Sequence, residues 1–209
     1  MSEPGSAVMA DPSRTALLMI ECQRGVVGDL SVLPDLAAAA QPILESIGRL
    51  AREARRHGVS VVHLTYAPLA EGRSTNQRSR LTRGTASTST WGPERPGAEV
   101  VAVIGVEPGD LVFERHQGIS PVHRTEVLSV LRNMGIDEVV VTGVSTNLAV
   151  PAVAVGASDE DFSVVVVPDA TIGVPESHHQ SVLRHSLAFV ARLCTADEVM
   201  AAWRDFDRT

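Results

Sequence analysis

Short, continuous runs of Val, Leu and Ile recur along this chain, and amphipathic helical patterns fill the intervals between them. A strand with one wet face alternates apolar and polar residues. A run that is apolar throughout instead implies a sheet covered on both faces, hence parallel strands joined by crossover helices. The runs place strands near Thr15–Glu21, Ser60–Tyr66, Asp110–Glu114, Glu138–Thr142, Ser163–Pro168 and Ala191–Cys194. Helical patterns lie near Asp35–His57, His123–Asn133, Thr146–Ala157, Glu176–Ala188 and Thr195–Arg204. The expected fold is therefore a three-layer α/β/α domain with a mostly parallel six-stranded sheet. In such folds ligands gather outside the carboxyl ends of the strands.

With 209 residues the chain suits one domain. Residues 15–209 read as that domain, and residues 1–14, small and polar, as a loose tail. They lack the basic start and apolar core of a signal peptide, and no apolar run approaches the ~20 residues that span a bilayer. The expectation is a cytoplasmic protein without a membrane segment. Net charge is −7 and the basic residues are scattered, so the chain has no electrostatic footprint for nucleic acid. All 18 basic residues are arginine, which excludes Schiff-base chemistry. Two cysteines, Cys22 and Cys194, make neither a disulfide framework nor a zinc set, and no metal or other cofactor is expected.

Three segments carry chemistry at strand ends: Leu17-Leu18-Met19-Ile20-Glu21-Cys22-Gln23, Leu111-Val112-Phe113-Glu114-Arg115-His116, and Val139-Val140-Val141-Thr142-Gly143-Val144-Ser145-Thr146-Asn147-Leu148-Ala149-Val150. Together, and in this order, they resemble the isochorismatase-like hydrolase superfamily over roughly Thr15 to Trp203. The resemblance implies an Asp-Lys-Cys triad, altered here to Glu21, Arg115 and Ala149, so that alanine stands where the nucleophilic cysteine would be. It also implies a non-proline cis peptide at Val144–Ser145 and an oxyanion site in the turn from Val144 through Ser145 to Ala149. Backbone N–H groups entering a helix suit that task. Members of the superfamily assemble as dimers or tetramers, and a homodimer or homotetramer is expected. Some members lack the cysteine and cleave the enol ether of isochorismate-type compounds.

The substrate implied is a small, carboxylated metabolite, attacked without a covalent enzyme intermediate. Glu21 then serves as general base on a water above Ala149, or as general acid, or else closes on Arg115 as a salt bridge in a noncatalytic binding protein. A neighbouring arginine lowers a carboxyl pKa and favours the base unless burial outweighs it. Arg115 offers a bidentate clamp for a substrate carboxylate. Further candidates for substrate contact are Gln23, Arg83, Trp91, His116, Ser145 and Asn147, with Arg83 and Trp91 on the irregular stretch Ala67–Gly97, the expected pocket wall. Ser145 or Thr146 as a replacement nucleophile requires a base on its own side. Cys22, next to Glu21, points into a helix layer. His63 faces the pocket or caps the sheet, and His178 and His179 read as solvated.

Overall fold

The computed structural model describes residues 11–75, 78–84 and 90–206. Strands β1 (Thr15–Ile20), β2 (Ser60–Tyr66), β3 (Leu111–Arg115), β4 (Glu138–Val144), β5 (Ser163–Ile172) and β6 (Arg192–Leu193) form one sheet in the order β3-β2-β1-β4-β5-β6. Every neighbouring pair is parallel. The helices are α1 (Pro34–Arg56), α2 (Arg80–Gly84), α3 (Val127–Asn133), α4 (Ala149–Asp159), α5 (Glu176–His185) and α6 (Ala196–Phe206).

The apolar runs have their cause in the layering. Successive residues of a strand face opposite sides. Leu17 and Met19 of β1 pack under α1 and α6 with Ile47, Leu50 and Trp203. Ala16, Leu18 and Ile20 of the same strand pack under α3, α4 and α5 with Leu131, Val153 and Leu183. All six β1 residues are buried as a result.

The chain departs from its sequence pattern at element ends. Residues 1–10 of the expected tail lie outside the described residues, while Pro12–Arg14 form a 3-10 turn capped by the Asp11 side chain, with Pro12 buried. Arg14 pairs with Asp137, so ordered structure begins ahead of Thr15. Helix α2 breaks the stretch expected to be irregular. Helix α3 starts at Val127 instead of near His123, after Arg124 takes a left-handed φ of 56°. Helix α4 starts at Ala149, leaving Ser145–Leu148 as the turn that precedes it. Strand β5 continues past Pro168 to Ile172, and its register against β4 shifts between Val141 and Gly143. Pro168 has no N–H for a regular ladder, and a bulge absorbs the gap. Among the described residues, no helix is long and apolar enough to cross a membrane.

One glycine fixes where the sheet opens. Gly143 has φ of 95°, and a Cβ there would lie 2.3 Å from the Ile20 carbonyl oxygen. Only glycine lets β4 pass this close to the end of β1.

Candidate active site

Beyond the carboxyl ends of β1 to β4 lies a cavity of about 350 Å³, lined among others by Glu21, Tyr66, Arg115, Ser145, Asn147 and Ala149. Glu21 is the first residue past β1 and has a left-handed φ of 51°. Its N–H donates to the Leu64 carbonyl at 2.9 Å, which pins the bend to β2. Arg115 ends β3, in register with Tyr66 of β2, and its guanidinium carbon lies 4.5 Å from the centre of the Tyr66 ring. This stacking holds a cation over an aromatic face. Arg115 Nη2 donates to Glu21 Oε1 and, at 3.2 Å, to the Ile119 carbonyl. The arginine side chain is only 8% exposed, yet its Nε and Nη1 have no hydrogen-bond partner among the described residues.

Burial pushes the Glu21 carboxyl above its ordinary value, and the charge and hydrogen bond of Arg115 only partly offset this. A carboxyl served by a single guanidinium nitrogen gains less than burial takes from its charged form. The same removal from water, reinforced by Glu21, raises the Cys22 thiol to about 12. Cys22 points away from the cavity and donates to the Ile20 carbonyl, as its place in the strand implies.

The turn before α4 presents backbone to the same space. The peptide bond Val144–Ser145 is cis, with Val144 buried at the end of β4. The Thr146 N–H is taken by the Ile172 carbonyl, and the Leu148 and Val150 N–H groups by the Ser145 carbonyl. The N–H groups of Ser145, Asn147 and Ala149 have no partner among the described residues.

Several sequence candidates have other occupations. Gln23 is fully buried: its Oε1 accepts from the Tyr66 N–H at 2.8 Å, and its Nε2 donates to the Tyr66 and Ala98 carbonyls. It ties β1 to β2 and does not line the cavity. Asn147 does line it, but its amide is used on both ends by the backbone of Val174, at 2.7 and 3.0 Å. Arg83 donates to the Arg78 carbonyl and leaves the wall to its neighbours Leu81 and Thr82. His116, one residue past β3, faces out of the cavity, with Nδ1 2.8 Å from the Ala67 carbonyl oxygen. Trp91 is in the wall, buried and edge-on to Tyr66 at 5.4 Å, with its indole N–H on the Tyr66 carbonyl.

The histidines also differ from their sequence reading. His179 is buried, not solvated, and its Nδ1 lies 3.0 Å from Thr146 Oγ1. This supplies a base beside Thr146, but neither residue lines the cavity. His178 is exposed. His63 neither caps the sheet nor faces the cavity; it is buried under α1 with Nε2 3.1 Å from Asp110 Oδ2. Sequence reading missed Tyr66 and the wall from Val32 to Leu36, apolar except for Asp35. Their signals are a strand end and a helix start, the two places where such sheets collect ligands.

The isochorismatase domain profile matches residues 15–198, nearly the whole described chain. The chain belongs to the isochorismatase family. Among its relatives is the probable isochorismatase of Pseudomonas chlororaphis, 27% identical over 194 residues that cover 91% of this chain and 86% of that one. Of solved structures, an isochorismatase family protein from Desulfovibrio vulgaris superposes with a TM-score of 0.77 at 26% identity, covering 90% of this chain and 98% of its own. N-carbamoylsarcosine amidase from Thermoplasma acidophilum shares the fold at a TM-score of 0.70 and 22% identity, covering 88% and 97%. The isochorismatase-family fold thus accompanies hydrolases named for different reactions.

Proposed function

We propose that this isochorismatase-family chain is a hydrolase of small carboxylated enol ethers, with Glu21 as general acid and no covalent enzyme intermediate. The observation that carries the reading is the Glu21 carboxyl held by a single arginine nitrogen in a cavity that Ala149 also lines, where burial raises its pKa. An enzyme that begins with a thiolate needs a base, and a raised carboxyl pKa favours an acid over a base. No sulfur lines the cavity among the described residues. The resemblance that aligns Ala149 with the family cysteine points the same way.

In this reading Arg115 occupies Glu21 Oε1, and Oε2 carries the proton. Transfer of that proton to the terminal carbon of the vinyl ether leaves an oxocarbenium ion and a carboxylate, which the Arg115 charge stabilises as it forms. Water adds to the cation and returns a proton to Glu21. The hemiketal then collapses to a ketone and an alcohol. The Arg115 charge and the N–H groups of the α4 turn suit the substrate carboxylate.

A second reading, a noncatalytic binding protein, draws on the Glu21–Arg115 contact, which occupies part of each group. The cavity beside the pair favours the enzyme. The test is turnover of 2-(benzyloxy)acrylate to pyruvate and benzyl alcohol, with pyruvate measured by coupled reduction. Expected are turnover that falls as pH rises through the Glu21 pKa, and a loss of about 10²–10⁴-fold in Glu21→Gln. Turnover unchanged in that variant, or an acyl adduct seen by mass spectrometry, would overturn the proposal.

A further inference from the structure

The charges of the cavity are unevenly placed. Arg115 is the only cation among the described residues that line it, and it lies at the buried end, with the N–H groups of Ser145, Asn147 and Ala149, unpartnered among the described residues, on the same cavity. At the solvent end the wall is the start of α1, where Asp35 is exposed and has no side-chain partner among the described residues. Between them the surface is largely apolar, with Val32, Leu33, Leu36, Leu81 and Ile119. The N-terminus of the 23-residue helix α1 would favour an anion at the mouth, but the carboxylate of Asp35 already sits in its first turn.

We propose that the natural substrate carries a single carboxylate, an apolar body, and at the opposite end a hydrogen-bond-donating group, best met by a protonated amine facing Asp35. This rests on the enol-ether reading and narrows it to monocarboxylates. A substrate with a second carboxylate would place that charge against Asp35, with no second cation among the described residues that line the cavity. Asp35 is then a specificity-determining residue that selects against dianions. Because the residue is exposed, its effect is modest and screened by salt.

Binding of saturated, unreactive analogues separates this from catalysis. The probes are 2-(benzyloxy)propanoate and its para-aminomethyl and para-carboxylate derivatives, titrated into the full chain by calorimetry at low salt. The aminomethyl compound is expected to bind about two- to fivefold tighter than the parent, and the dicarboxylate weaker by a similar factor. Asp35→Asn should bring the three within about twofold, and Asp35→Arg should reverse the order. A dicarboxylate that binds the wild-type chain as tightly as the parent, a ranking unmoved by Asp35→Asn, or no binding by any of the three would overturn the inference. The ranking holding while 2-(benzyloxy)acrylate is not turned over would sustain this substrate class and remove only the acid-catalysed step.

Discussion

Two buried arginine–carboxylate pairs stand near the first strands of the sheet, and they are built differently. Asp110 receives Arg55 through Nε and Nη2, the Glu107 N–H at 2.9 Å and His63 at 3.1 Å. Burial works to raise its carboxyl, and these donors more than offset that, so it sits below the ordinary value. Glu21 receives one nitrogen of Arg115, burial prevails, and its carboxyl sits above. The same residue types thus make a saturated structural anchor in one place and an unsaturated carboxyl with a raised pKa beside a cavity in the other. Unfilled hydrogen-bond capacity at a buried group marks a candidate functional site.

The widest separation is expected from paired variants. Glu21→Gln should lower turnover of an enol ether by about 10²–10⁴-fold. Its unfolding free energy should change by less than about 1 kcal/mol, since an amide still accepts from Arg115. Asp110→Ala should do the reverse. It leaves Arg55 and His63 without their acceptor and is expected to lose about 3–5 kcal/mol in denaturant unfolding, with turnover per folded molecule unchanged. Equal effects of the two variants on both readouts would erase the distinction.

Gln23→Ala sharpens it further, since sequence reading places Gln23 in the site and the structure places it beneath. Removing the amide strands the Tyr66 N–H in the interior. The expected loss is about 1–3 kcal/mol of stability. The Michaelis constant should stay within about twofold on refolded protein.

The smallest expected effect is a slope. Burial lowers His63 below its ordinary 6.5, against the pull of Asp110. The unfolded chain takes up protons below pH 6.5, whereas folded His63 resists them until lower pH. Its contribution to stability is therefore present above pH 6.5 and lost as pH falls. His179, also lowered by burial, acts in the same direction. Each contributes at most about 1.4 kcal/mol per pH unit, and His63→Gln should flatten the unfolding free energy between pH 7.5 and 5. A slope identical to wild type would remove His63 from the account.

The strands were legible because an all-apolar run has one physical use, a sheet covered twice. Glu21, Arg115 and Ala149 were singled out by the resemblance, and the structure places all three on one cavity. Less could be read where a side chain's role depends on partners distant in sequence. Gln23 and Asn147 look like substrate amides until Tyr66 and Val174 are seen to occupy them. His179 looks solvated until the turn at Thr146 packs on it. Helix α2 is too short, in a Ser-, Thr- and Arg-rich stretch, to give a helical period. Neither could the Glu21 carboxyl be assigned from sequence, since burial and Arg115 pull it in opposite directions.

The central claim is that Glu21 holds a proton beside the cavity. Its most direct test is a titration of the side-chain carboxyl by carbon NMR on glutamate-labelled protein, with Glu21→Gln to assign the resonance. A midpoint well above the ordinary 4.5 is the result expected. A midpoint at or below 4.5 would mean that Arg115 prevails, leaving Glu21 a base or an ion-pair partner and the acid-catalysed reading contradicted.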